Sequence, residues 1–308
     1  MLGAFGARSR SVGRVNGRRL SLVLAGCALI AAGAALAQAG RGDATDSAGR
    51  ADDIATQEDV RNFAEGLVGK PGATPKTAPT PQELAEKSKG IASIASEDGQ
   101  SQVRIGAARL NFVPPAGHCF LDEAQGPDAR LAGILRQVFG GELRMLGAFA
   151  DCVQLRSWRT GKRKTLSDYG QFLVPVDFID KKLDGPSQPY VETICKIMRD
   201  SGGQLLDQSA PTVKQRFEDA LKGAQMNEMR FLGVVGQDET ACYFGLLQKL
   251  ITEQGDPKTQ VDVSAIAFIA GKMVYSNLYA VQEGDETLSE LLERQQTNVS
   301  RNLRANGG

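Results

Sequence analysis

The sequence has little of what most catalytic and metal sites require. Of its 308 residues one is histidine, His118, and one is tryptophan, Trp158. A single histidine excludes an HExxH motif and any metal site that takes two histidines from one chain. The sequence also lacks a Gly-x-Ser-x-Gly elbow, a Walker A loop, a Gly-x-Gly-x-x-Gly turn and a Cys-x-x-Cys pair. We therefore expect no metal, no cofactor and no catalytic centre of these types.

Residues 1–39 have the three-part plan of a secretory signal peptide. Five arginines and no acidic residue precede or border an apolar run, which ends in the small-x-small pattern Ala37-Gln38-Ala39. We expect cleavage after Ala39 and a periplasmic or secreted location. Two alternatives stay open. The run is long enough for an uncleaved anchor, although it is rich in alanine; and Leu24-Ala25-Gly26-Cys27 resembles a bacterial lipobox, which would make the chain a lipoprotein tethered to the membrane through Cys27.

The charge balance argues against nucleic acid as a partner. Residues 1–39 hold five of the 36 basic residues and none of the 36 acidic ones, so the remainder carries 31 basic residues against 36 acidic. Binding to phosphate backbones requires a basic surplus. Residues 40–102 are poor in aromatics and rich in Pro, Ala, Gly and Ser, which predicts a flexible leader with one short amphipathic helix at residues 57–68.

From residue 103 to residue 304 the pattern predicts one α+β domain, followed by a tail at 305–308. Turn residues separate strands that are grouped at both ends of this region, with helices between them, as in an antiparallel sheet covered by helices. The expected strands are Arg109–Val113, 118–122, Leu143–Leu155, Gln171–Ile179, Phe231–Val235, Ala241–Leu247, Val261–Ile269 and Met273–Ala280. The expected helices are one that Asp128 caps and Gly140-Gly141 ends, one from Ser187 to Gly202-Gly203, one at Thr212–Lys222, and a last one behind a capping box at Thr287–Glu290.

The opening RLNFVPPAGHCFLD and the closing hairpin plus helix resemble the PsbP/Mog1-type α/β/α sandwich. The run FVPPAGHCFLD with FADCVQLRSWRTGKR is also similar to exported bacterial proteins with no assigned activity. The resemblance covers roughly residues 103–304 and implies a binding or assembly module. It is a resemblance of fold, which does not by itself assign a function.

The four cysteines that follow residue 39 predict disulfides, since an even number of thiols in an oxidising compartment favours pairing. Three pairings are possible. We favour Cys119 with Cys152, because both lie in expected strands, and Cys195 with Cys242, which would join a helix to a hairpin. As an alternative, Cys119 is a free nucleophile activated by His118, although neighbours on a strand point to opposite faces.

A cluster of cations surrounds Trp158, and consists of Arg156, Arg159, Lys162, Arg163 and Lys164. Such a patch suits anionic lipid headgroups or an acidic partner. The alternative is a solvated hairpin end with Trp158 folded onto the core. Together these features predict an exported cell-envelope protein with a non-catalytic domain that binds an envelope protein or component, including peripheral contact with the membrane. The competing hypotheses are the lipoprotein tethered at Cys27 and a thiol enzyme that uses Cys119.

Overall fold

The computed structural model describes residues 53–61, 91–94, 100–124, 126–139 and 142–308, with the backbone alone for 91–94. The strands are β1 (Asp53–Ala55), β2 (Ile91–Ile94), β3 (Ser101–Ile105), β4 (Ala108–Phe112), β5 (His118–Phe120), β6 (Leu143–Asp151), β7 (Asp168–Pro175), β8 (Lys181–Leu183), β9 (Gln225–Gln237), β10 (Ala241–Ile251), β11 (Pro257–Ile269) and β12 (Lys272–Val281). The helices are α1 (Gly126–Phe139), α2 (Cys152–Arg159), α3 (Gln188–Ala220) and α4 (Thr287–Ala305), and a 3-10 turn spans Val176–Phe178.

The central sheet has seven antiparallel strands in the order β5-β6-β7-β12-β11-β10-β9. Two long hairpins, β9-β10 and β11-β12, form one side of it and confirm the two hairpins predicted from the turn residues. A three-stranded antiparallel sheet, β2-β3-β4, and a parallel pair, β1-β8, are separate from it.

Helices cover both faces of the central sheet, so the domain has three layers. On one face α1, α2 and α3 bury Leu131, Trp158 and Val191 against the strands. On the other face Leu291 of α4 and Phe112 of β4 belong to a second core. The expectation of an α+β domain around an antiparallel sheet is thereby confirmed.

Helix α3 runs without a break for 33 residues, where the sequence predicted one helix ending at Gly202-Gly203 and a second at 212–222. The glycine signal was misread because Gly202 serves close packing. A Cβ atom on Gly202 would lie 2.5 Å from the ring of Phe231 on β9, so the helix can approach the sheet only without a side chain there. Pro211 also lies inside the helix, where the lost hydrogen bond is tolerated.

Residues after Asp151 form a helix, α2, and not the strand that was expected to continue to Leu155. Asp151 is the N-cap, since its carboxylate accepts a hydrogen bond from the backbone nitrogen of Gln154 at 2.8 Å. Leu155 and Trp158 then fall three residues apart on the buried side of the helix. The cap at Asp151 and the burial of Leu155 and Trp158 on one side of the helix therefore override the strand propensity of these residues.

Helix α4 begins as predicted, but not through a capping box at Thr287–Glu290. Its N-cap is Glu286, which makes no side-chain capping bond. Thr287 Oγ1 instead accepts hydrogen bonds from the backbone nitrogens of Glu283 and Gly284, at 3.2 and 3.1 Å. The hydroxyl therefore fixes the preceding turn.

Part of the segment expected to be a flexible leader is packed on the domain. Asp53–Ala55 forms β1 beside β8, and residues 57–61 are helical behind a reciprocal cap between Thr56 and Asp59. Val60 is fully buried in the core, and Lys181 pairs with Asp59. The short helix predicted at 57–68 is thus described only as far as Arg61. The predicted signal peptide, Cys27 and the predicted stop at Gly140-Gly141 lie outside the described residues.

Candidate binding site

All four cysteines of the domain form the two predicted disulfides. Cys119–Cys152, with Cα atoms 5.0 Å apart, ties β5 to the start of α2, and Cys195–Cys242, with Cα atoms 5.5 Å apart, ties α3 to β10. They close loops with sequence separations of 33 and 47 residues, which corresponds to about 3–4 kcal/mol each on the loop-entropy estimate. With its sulfur in a disulfide, Cys119 has no thiolate for the enzyme mechanism considered above.

The buried side chain of His118 belongs to a polar network with Asp168 and Arg294. Its Nε2 lies 2.9 Å from Asp168 Oδ1 and its Nδ1 lies 3.2 Å from the carbonyl oxygen of Ala116. Arg294 of α4 donates to Asp168 Oδ2 at 2.6 Å. Burial raises the pKa of Asp168, but hydrogen bonds and charges from His118 and Arg294 outweigh it and lower the pKa overall. Both ring nitrogens face oxygen atoms of structural partners, so this histidine joins β5 and β7 to α4.

The predicted cationic patch is only partly retained on the surface. Trp158 is 1 % exposed and belongs to the helix-covered core, as the alternative interpretation had it. Arg159 donates three hydrogen bonds to the buried carboxylate of Asp128, two from Nε at 3.1 Å and one from Nη2 at 2.5 Å, and therefore holds α1 in place. Arg156, Lys162 and Lys164 remain exposed.

Tertiary structure adds one cation that the sequence analysis missed, Lys258 on β11. Lys258 Nζ donates to Thr165 Oγ1 at 3.1 Å, and Arg163 Nε donates to the carbonyl oxygen of the same threonine at 2.6 Å. Burial lowers the pKa of Lys258, and the positive charge of Arg163 lowers it further, while Asp256 opposes both. We define the cationic surface as Arg156, Lys162, Arg163, Lys164 and Lys258.

One large apolar side chain borders this cationic surface. Val153 is 67 % exposed and precedes Arg156 by three residues on α2, which puts both on one side of the helix. Only Ile54 is comparably exposed among the large apolar side chains of the described residues. The surface therefore combines positive charge with an apolar contact.

A second feature lies inside the domain, on the sheet face that α1, α2 and α3 cover. Cross-strand neighbours there form three polar rows, which we call the polar layer: Gln171-Asn277-Ser264, Tyr169-Tyr279-Asp262 and Gln260-Gln248. All eight side chains are buried. Tyr169 and Gln260 are hydrogen-bonded to each other, Gln171 donates to the hydroxyl of Tyr279 at 2.7 Å, and Ser264 donates to Asp262 at 3.0 Å.

Several buried polar atoms of this region have no hydrogen-bond partner. Both amide atoms of Gln248 and of Asn277 are unpaired, as are Gln171 Oε1 and the hydroxyl of Tyr275. Burial raises the pKa of Asp262 well above its ordinary value of 3.8, and the hydrogen bond from Ser264 opposes this only in part, so the neutral acid is favoured. Natural proteins pair nearly all buried polar groups, which makes this concentration unusual.

A cavity of about 250 Å³ opens between α3 and β9, next to the polar layer. It is lined by Ala210, Pro211, Lys214, Met226 and Met229. Met229 is the cross-strand neighbour of Gln248, so one wall of the cavity is formed by the residue paired with an unpaired amide.

Among the described residues, no three His, Cys, Asp or Glu side chains are grouped as metal ligands would be. In the same part of the chain, no helix combines the length and apolar character needed to cross a membrane. Neither the family models nor the curated proteins contain a match to this sequence.

Proposed function

We propose that this protein is an exported component of a bacterial cell envelope whose α+β domain contacts anionic membrane lipid through the cationic surface, without catalysing a reaction. The observation that carries the proposal is the set of five cations on and beside α2, which includes the close approach of Arg163 and Lys258 to one threonine. Among the described residues, no carboxylate is hydrogen-bonded to any of these five side chains. An anion supplied from outside would relieve their mutual repulsion.

The disulfides and the leader sequence support the exported location, because disulfides persist in oxidising compartments. The exposed Val153 favours a lipid surface over a soluble acidic protein as the partner, since an apolar side chain among cations can enter the headgroup region. The resemblance to the PsbP/Mog1-type sandwich favours a binding or assembly role, by analogy of fold alone.

The test is sedimentation of the purified protein with vesicles of phosphatidylglycerol and phosphatidylcholine, compared with phosphatidylcholine alone. Each cation near an anionic surface contributes about 1 kcal/mol. Neutralising three of them in Arg156→Gln/Lys162→Gln/Lys164→Gln should therefore weaken binding roughly a hundredfold. Added salt should weaken the wild-type protein in the same direction.

The matched control is Lys182→Gln/Lys222→Gln/Arg230→Gln, which removes the same charge from exposed positions elsewhere. It should retain most of the binding. Equal loss in both triple variants would show that net charge alone acts, and equal sedimentation with both kinds of vesicle would exclude the membrane proposal.

A further inference from the structure

Gln248 and Asn277 are the two amides of the polar layer whose oxygen and nitrogen both lack a hydrogen-bond partner, and Gln248 is the one beside the cavity. The side chain is 0 % exposed, and neither its carbonyl oxygen nor its amide nitrogen has a partner. Its cross-strand partner Gln260 carries the same group in the same layer, and that group is hydrogen-bonded to Tyr169. A buried amide whose nitrogen can donate and whose oxygen can accept, both without a partner, is able to hydrogen-bond a group that donates and accepts.

Space for a ligand lies directly beside this amide. The cavity of about 250 Å³ between α3 and β9 reaches Met229, and Met229 lies against Gln248 across the strands. Methionine is unbranched and adapts its shape readily, so a small rotation of Met229 would join the cavity to the amide. The cavity is open to solvent on the side of Pro211 and Lys214, and its volume of about 250 Å³ leaves room for a small molecule.

The chemistry of the lining selects the class of ligand. Ala210, Pro211, Met226 and Met229 offer an apolar wall, which suits an apolar body. The cation at the cavity, Lys214, lies 3.9 Å from the carboxylate of Glu218 on the same helix, so it offers little to an anionic head. A cationic head would meet no carboxylate among the lining side chains, whereas the amide of Gln248 suits a head that both donates and accepts.

We propose that the cavity between α3 and β9 binds a small uncharged amphiphile. Its apolar body fills the cavity, and its amide or hydroxyl head pairs with Gln248 after Met229 moves aside. This site lies on the sheet face covered by α3 and involves none of the residues of the cationic surface. The proposal therefore goes beyond the membrane contact and can be tested independently of it.

The test uses three probes with the same number of carbons and different heads: hexanamide, hexanoate and hexylammonium. The reporters are the methyl groups of Met226 and Met229 in protein labelled with ¹³C at the methionine methyls, followed by NMR during titration. Assignment uses Met226→Leu and Met229→Leu. We expect saturable shifts of both signals with hexanamide. Two new hydrogen bonds should make its Kd lower than those of the two charged probes by about tenfold or more.

Gln248→Leu removes the head contact by replacing the amide with an apolar side chain of similar size. In this variant hexanamide should lose about tenfold in affinity, and the two charged probes should lose less. Gln204→Leu, an exposed glutamine on α3, is the control and should behave as the wild type. Shifts that never saturate, equal affinity of the three probes in the wild type, or an affinity for hexanamide that is unchanged in Gln248→Leu would each overturn the proposal.

Discussion

Replacing Gln248 with leucine should stabilise the protein, although most substitutions in a core destabilise it. Gln248 is fully buried and both of its amide atoms lack partners, so unfolding returns two polar groups to water that the folded state leaves unsatisfied. Leucine removes both polar groups and puts an apolar side chain of similar volume in their place. Groups that a protein keeps for binding often lower its stability, so replacing such a group commonly stabilises the fold.

The size of the effect follows from the desolvation of the amide. A buried polar group without a partner costs about 1–3 kcal/mol, so Gln248→Leu should raise the free energy of unfolding by about that amount. In a domain of this size each kcal/mol moves the melting temperature by about 2–4 °C, which gives an increase of roughly 2–12 °C. Differential scanning calorimetry together with urea unfolding under oxidising conditions would measure both quantities.

The neighbouring glutamine provides the control with the opposite sign. Gln260 lies opposite Gln248 on β11, and its Nε2 is 2.8 Å from the hydroxyl of Tyr169. Gln260→Leu should therefore destabilise the fold by about 1–2 kcal/mol. If Gln248→Leu instead lowers stability by a similar amount, the amide is satisfied in solution, for example by a buried water, and the reasoning that led to the cavity site fails.

Three further outcomes are expected. Gly202→Ala should destabilise the domain by about 1–3 kcal/mol in urea unfolding, because its Cβ would lie 2.5 Å from the ring of Phe231. Combining it with Phe231→Leu should recover part of the lost stability. No recovery would contradict the steric explanation. Folding lowers the pKa of Asp168, so the stabilisation by its carboxylate is complete above the ordinary pKa of 3.8 and is lost as the pH falls below it. The difference in the free energy of unfolding between the wild type and Asp168→Asn should therefore be large at pH 5 and small towards pH 2. A difference that does not change with pH would refute this. Removing the Cys195–Cys242 bridge by a double serine substitution should lower the free energy of unfolding by about 3–4 kcal/mol, and calorimetry showing no change would mean that the bridge adds no constraint.

Much of the fold could be predicted from local patterns in the sequence. The turn residues after Val235 and Ile269 predicted both long hairpins. The even number of cysteines together with the expected elements predicted both disulfides, although Cys152 begins a helix and does not lie in a strand. These features depend on residues that are close in the chain or on the redox chemistry of an even set of thiols. The prediction divided helix α3 into two helices because a glycine at position 202 is typical of a helix end. The structure shows that this glycine allows close packing against Phe231, which lies 29 residues away on β9.

The candidate site was harder to predict from the sequence for the same reason. Arg163 was recognised as part of a basic run, but Lys258 meets it only because β11 passes beside the loop that holds Thr165. Arg159 was placed on the surface patch, and the structure pairs it with Asp128. A side chain's neighbours across long sequence separations have no local signal in a single sequence.

What the sequence by itself determined was the alternation on each strand, the turns and the thiol count. On β11, Gln260, Asp262 and Ser264 alternate with Val261 and Val263, which on local grounds is a strand with one wet face. Only the tertiary structure decided that helices α1 to α3 cover that face and so turn a solvated row into a buried one. The physical reason is that alternation fixes which side chains share a face, while the contents of the space opposite that face depend on where distant helices pack.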